Sequence, residues 1–177
     1  MTVRRVVTGQ TAEGRSVFVS DEALDPITVA LIPGTEFFPL WGSDEPPRLP
    51  AGGHPSGSLD WFPPAGGFRF AAITLGPDVV TKIEPDPAGL GIALEELRAK
   101  LPGLADVVEP DSDLHRTDTV DLVVVLSGEV VLELDDGAQV PVRAGDCVVQ
   151  NGTRHTWRNT STAPCVMAVT ILGAPRA

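Results

Sequence analysis

Residues 115–128, HRTDTVDLVVVLSG, and residues 145–159, GDCVVQNGTRHTWRN, decide how this chain folds. Both runs are rich in Val, Leu and Thr and alternate at the two-residue period of a β-strand. In the first, that period groups His115, Thr117, Thr119 and Asp121 on one face, with Arg116 and Asp118 opposite. In the second it groups His155, Trp157 and Asn159. Outward from these two runs, strand-like segments fall at about 115–126, 129–134, 138–143, 146–150, 154–159 and 164–172. Their breaks are Ser127-Gly128, Asp135-Asp136-Gly137, Ala144-Gly145, Asn151-Gly152 and 159–163. Short strands at such even spacing predict an all-β fold, a small antiparallel barrel or sandwich.

Upstream the texture changes. Residues 3–20 read as two β-rich runs around a Gly-containing turn, a hairpin. From 25 to 67 the chain is dense in Pro and Gly, which forbids a regular helix or a central strand. Trp41, Trp61 and Phe62 within it argue that this arm is pinned to the body. A short strand is expected at 69–75. The one clear helix lies within 86–103, with Asp86 as cap, Pro87 in the first turn, and Leu90, Leu94, Leu97 and Leu101 on one face. A single domain over 1–177 follows, with hairpin, arm and helix (1–105) packed on a barrel (106–173).

Two imidazoles and a carboxylate on barrel strands are the pieces of a two-His, one-carboxylate metal face. They also resemble a family. The quoted runs look like the two motifs of the cupins. The first motif is Gly, five residues, His-x-His, three or four residues, Glu, six residues, Gly. This chain supplies His115, Thr117 in place of the second His, Asp121 in place of the Glu, and Gly128 at the six-residue gap; Glu109 stands where the leading Gly would be. The second motif is represented by Gly145, Gly152, His155 and Asn159, without its Pro. The resemblance implies a double-stranded β-helix, the cupin or jelly-roll barrel, with the Pro/Gly-rich arm and the short helix outside it. It also implies one divalent metal ion (Fe, Mn, Zn or Ni) on His115, Asp121 and His155. Thr117, Thr119 and Trp157 would line the pocket.

The implied function is a metal-dependent enzyme acting on a small oxygenated organic molecule. Dioxygenase, decarboxylase, isomerase and cyclase chemistries are not distinguished. The alternative is a metal-free barrel that binds a small molecule. With 24 acidic and 13 basic residues the net charge is −11, which repels nucleic acid and anionic lipid. No apolar run approaches the roughly 18 residues of a membrane span. Cys147 and Cys165 sit in apolar strand-like runs and read as buried free thiols of a cytoplasmic protein. His54, in a Gly/Pro-rich loop, reads as a solvated surface residue. Leu122, Val124 and Leu126 lie on the face opposite Asp121 yet are apolar, so that strand needs cover on both sides. A second protomer or the arm would provide it, and a homodimer is expected.

Overall fold

The decisive alternation becomes a strand four residues later than the sequence suggests. In a computed structural model that describes residues 1–57, 60–81, 87–107, 109 and 112–176, the strand starts at Thr119, not His115. Ten strands form three antiparallel sheets: β1 (Val3–Gln10), β2 (Ser16–Leu24), β3 (Glu36–Ser43), β4 (Phe68–Leu75), β5 (Thr119–Ser127), β6 (Glu129–Leu134), β7 (Gln139–Arg143), β8 (Cys147–Gln150), β9 (His155–Arg158) and β10 (Cys165–Gly173). The five-stranded sheet runs β3-β4-β10-β5-β8 and the three-stranded sheet β7-β6-β9; β1 and β2 pair as a separate hairpin. This is the jelly-roll barrel of the double-stranded β-helix.

Alternation decides what is inside. On β5, Val123 and Val125 are buried while Leu122, Val124 and Leu126 are exposed, and Met167, Val169 and Ile171 of β10 share the inner face. Burying these apolar chains is the main driving force for closing the barrel. Two glycines are required at the sheet turns. Gly128 (φ 78°), between β5 and β6, would put a Cβ 2.7 Å from the Pro164 carbonyl oxygen. Gly152 (φ 59°), between β8 and β9, would crowd the Thr117 and Thr119 carbonyls at 3.1 and 3.2 Å. Both are left-handed positions where any other residue is strained.

The Pro/Gly-rich arm contributes more than surface cover. It contains β3, an edge strand that admits Pro39 at a register shift. Trp61 is 7% exposed, packs edge-on against Phe37 at 5.2 Å, and belongs to the barrel core together with Leu97 and Leu101. The helix is α2 (Pro87–Lys100); a short α1 (Asp78–Thr81) precedes it, and the expected cap Asp86 lies outside the described residues. Its buried stripe runs Ala93, Leu97, Leu101, whereas Leu90 is 40% exposed. The second half of α2 is the half tied down: Glu96 accepts from the Ala30 amide, Lys100 donates to the Thr28 carbonyl, and the Trp61 amide donates to the Pro102 carbonyl.

Asn159, the last residue of the second motif, is fully buried and works as a staple. Its amide nitrogen donates to the Leu75 and Ala163 carbonyls, both at 2.9 Å, and its side-chain oxygen accepts from the Ser161 amide and hydroxyl. Asn159→Ala strands these buried partners, so we expect a loss of about 3 kcal/mol in urea unfolding. A loss under about 0.5 kcal/mol would mean that water replaces the staple.

Candidate functional site

Between the two sheets lies a cavity of about 180 Å³. Its walls are mostly apolar, with Phe37, Trp61, Phe62 and Trp157 supplying aromatic surface. The polar groups on it, among the described residues, are Thr35, His115, Asp121, Gln150 and His155, with no Arg or Lys. The barrel therefore gathers His115, Asp121, His155 and Trp157, as the sequence pattern suggests, into one lining. Thr117 and Thr119 are not part of it: both are buried, their hydroxyls 2.7 Å apart. His54 lies elsewhere, exposed in a cleft of the arm. Cys165 is buried as expected, but Cys147, at the start of β8, is exposed because its side chain falls on the outer face of that strand.

The late start of β5 decides the geometry. Residues 116–118 cross from one sheet to the other, so His115 does not share a strand with Asp121. Instead His115 forms a β-bridge with His155, at the edge of β9, with amide-to-carbonyl bonds of 2.9 and 3.0 Å. Asp121 sits in the other sheet, opposite Gln150 and Ile171. The expectation of His115 and Asp121 on one strand face is corrected in this way.

Salt bridges on the outer face fix the histidine pair. Arg154 binds Glu109 and Asp135, and Arg158 binds Glu133 and Asp113. Glu109 and Asp113 precede His115 in the chain, while the two arginines flank His155 and Trp157. These arginines are thus engaged in holding the segment before His115 against β9. Arg154 draws the Glu109 carboxyl below its ordinary range.

The imidazole rings stand 4.3 Å apart, tilted by 49°. His155 Nδ1 lies 3.0 Å from the Thr153 carbonyl, which can only accept, so Nδ1 carries the proton and Nε2 keeps the lone pair. At His115 a hydrogen bond to the Asp113 backbone works against the effect of burial. Burial, followed by its His155 neighbour, lowers His115 to about 4, and burial lowers His155 as well. Both rings are neutral at pH 7. Asp121 is raised to about 6 by burial, partly offset by a hydrogen bond from Thr119, and its Oδ1 is buried without a hydrogen-bond partner.

These donors suit a divalent ion in kind: two neutral imidazoles, that of His155 with its proton turned onto a backbone carbonyl, and a carboxyl oxygen in need of a partner. They are not drawn together as a preformed site. Among the described residues, no three His, Cys, Asp or Glu side chains are grouped so that they could hold an ion. The division of the ligands between two sheets, with Asp one methylene shorter than Glu, accounts for this.

Residues 106–171 match the family model of the cupin domain. This segment is a cupin domain. The chain resembles phomopsin biosynthesis cluster protein C' of Diaporthe leptostromiformis, 49% identical over 51 residues, which are 29% of this chain and 27% of the relative. It also resembles oryzines biosynthesis cluster protein J of Aspergillus oryzae, 51% identical over 47 residues (27% and 26%). A cupin-domain-containing oxidoreductase of Neurospora crassa is 39% identical over 62 residues (34% and 32%). Each match thus spans about a quarter to a third of the relative's length. Among solved structures, the cupin domain of Schizosaccharomyces pombe Cnp3 aligns over 96% of this chain and 87% of its own, at 7% identity and a TM-score of 0.48. A cupin barrel protein of Salinispora arenicola aligns over 85% and 88%, at 15% identity and 0.43.

Sequence reading missed Gln150, Trp61 and Phe62. Gln150 is 3% exposed and donates to the Thr153 carbonyl, the same atom that takes the His155 proton. Its only signal is a polar residue closing an apolar run, and its place beside Asp121 depends on strand register.

The shifted titrations give a pH dependence for the metal-free protein. Between about 4 and 6.5 the unfolded chain protonates His115 and the folded chain does not, so its contribution is full above 6.5 and lost as pH falls; His155, lowered by burial, acts in the same sense. Asp121 acts oppositely: its contribution is full below 3.8 and lost as pH rises to about 6. Two imidazoles act together against one carboxyl. The urea midpoint should therefore fall from pH 6.5 to 4.5, and the fall should be shallower in His115→Phe. An unchanged slope in that variant would contradict a neutral buried His115.

Proposed function

We propose that this cupin is a metal-dependent enzyme that holds one divalent ion on His115, His155 and Asp121. The supporting observation is the buried imidazole pair, rings 4.3 Å apart and His155 anchored through Nδ1 on the Thr153 carbonyl, sharing one cavity with a carboxyl whose Oδ1 has no partner. Fe, Mn, Zn and Ni all suit nitrogen and oxygen donors of this kind. When bound, the ion supplies Lewis acidity, and as iron also oxygen chemistry.

The chain's own residues define what enters. A cavity of about 180 Å³ with aromatic and aliphatic walls takes a compact molecule with an apolar body. Phe37, Trp61, Phe62 and Trp157 supply the aromatic part of that wall. Among the described residues the lining has no Arg or Lys, which disfavours phosphorylated or polyanionic ligands. Thr153, through its carbonyl, holds the His155 ring in one orientation. The substrate we infer is small, largely apolar and oxygenated at one end. The fungal biosynthesis cluster proteins and the oxidoreductase support small-molecule chemistry.

The second reading is a metal-free binding barrel, in which His115, His155 and Asp121 hydrogen-bond a ligand directly. It is favoured by the lack of a gathered three-donor group among the described residues. Elemental analysis of tag-free protein separates the two readings. Wild type should carry close to one metal per chain after reconstitution; His155→Ala and Asp121→Asn should lose it, while Cys147→Ser and His54→Ala should retain it. Full occupancy in His155→Ala, or none in wild type after reconstitution with Fe, Mn, Zn and Ni, would rule out this site.

We also propose a homodimer. The arm does not cover the outer face of β5: Leu122, Val124 and Leu126 remain 44%, 38% and 54% exposed, with Val149 of β8 beside Leu122 at 59%. The same chain offers a complement in the β1–β2 hairpin, whose Phe18 is 78% exposed. A copy related by a two-fold axis can cover one apolar surface with the other. Light scattering at micromolar concentration should give a dimer that Leu122→Glu dissociates; a monomeric wild type would contradict this pairing.

A further inference from the structure

We infer that Gln150 reads the substrate: its Oε1 accepts a hydrogen bond from a hydroxyl or a protonated amine at the polar end of the molecule in the cavity. The role rests on the reading of the cavity as a substrate pocket and holds with or without a bound ion.

Gln150 closes β8, lines the cavity and is 3% exposed. Burying a carboxamide is costly unless its polar atoms are used. The nitrogen is used: Nε2 donates to the Thr153 carbonyl at 3.0 Å and to the Thr153 hydroxyl. A carbonyl can only accept, so the NH₂ end of the carboxamide faces Thr153 and the oxygen is turned away from it. Among the described residues nothing donates to Oε1. Nor is Oε1 among the side-chain atoms sealed in the protein without a partner. The little surface left to Gln150 therefore includes an unused acceptor in the cavity wall.

Two neighbours share this bias toward accepting. Asp121 lies directly opposite on β5, and its Oδ1 has no partner. His155 spends its Nδ1 proton on the same Thr153 carbonyl, 3.0 Å away, which leaves Nε2 as a lone pair. One backbone carbonyl thus orients both Gln150 and His155, in each case by taking the proton-bearing nitrogen. The described lining has no Arg or Lys, and its one hydroxyl, Thr35, precedes β3, the opposite edge of the five-stranded sheet from β8. A ligand that brings its own O–H or N–H satisfies these acceptors; a ketone or a carboxylate sets lone pairs against lone pairs. Such a site rejects the analogue that lacks the donor, because its own buried polar groups are then left unpaired. An ion on the histidines and Asp121 would use two of the three acceptors, and Gln150 would remain to read the donor.

The test is a calorimetric titration of the full chain with cyclohexanol, cyclohexylamine and cyclohexanone, which share an apolar ring and differ in the polar group. The better of the two donors should bind wild type about 10-fold more tightly than the ketone, and which one it is tells a hydroxyl from an ammonium. Gln150→Leu should cut that ratio about 5-fold while holding the ketone at least as well. A purely structural role would weaken all three probes together and leave the ratio alone. Thermal midpoints report on folding, and Gln150→Met, close in length to Gln, is the second variant. In wild type itself, the Gln150 side-chain amide signals in NMR should shift with the bound donor and not with the ketone. Equal affinities for the three probes, unmoved Gln150 signals, or a wild-type ratio in a folded variant overturns the role of Gln150 alone. A wild type that takes up none of the three at millimolar concentration overturns the reading of the cavity and this role with it.

Discussion

Two backbone hydrogen bonds between His115 and His155 fix the chemistry of this barrel. They join a segment with no strand of its own to β9, and so place two imidazoles 4.3 Å apart at one side of a mostly apolar cavity. The surrounding contacts hold that bridge from outside. Arg154 and Arg158 grip Glu109 and Asp113 before it, and Arg176 grips the crossing at Thr117 and Asp118 after it. None of these pairs is deeply buried, so each contributes modestly by itself. Acting on one short stretch from both ends, they define where His115 can be.

Burial then determines the state of the groups. An apolar cavity disfavours charge, which leaves both histidines neutral and holds the Asp121 carboxyl near a pKa of 6. Neutral imidazoles are ready lone-pair donors. A half-satisfied carboxylate is costly in such a place without a cation or a hydrogen-bond donor. The same desolvation therefore makes the cavity hospitable both to a cation and to an apolar molecule.

The β-rich half of the cupin was legible because its turns and its two-residue period are written in neighbouring residues. Gly128 and Gly152 sit at left-handed turns, and the strands from β6 to β10 fall within a residue or two of the expected bounds. The site was legible as a set of residues and not as a geometry. One unbroken strand from His115 would have placed His115 and Asp121 on one face of the same strand; the crossing at 116–118 puts them on different sheets, and no local pattern marks it. Trp61, Phe62 and Gln150 were hidden for a related reason. Their roles come from contacts with elements distant in the chain: Trp61 through Phe37 and α2, Gln150 through its register with Asp121.

The central claim is that the imidazole pair and the Asp121 carboxyl close around a single ion. X-ray absorption at the metal edge of the Co²⁺-loaded protein tests it most directly. The account predicts a nitrogen and oxygen shell with imidazole scattering from two histidines, reduced to one in His115→Ala. A shell containing sulfur, or one without imidazole scattering, would contradict it.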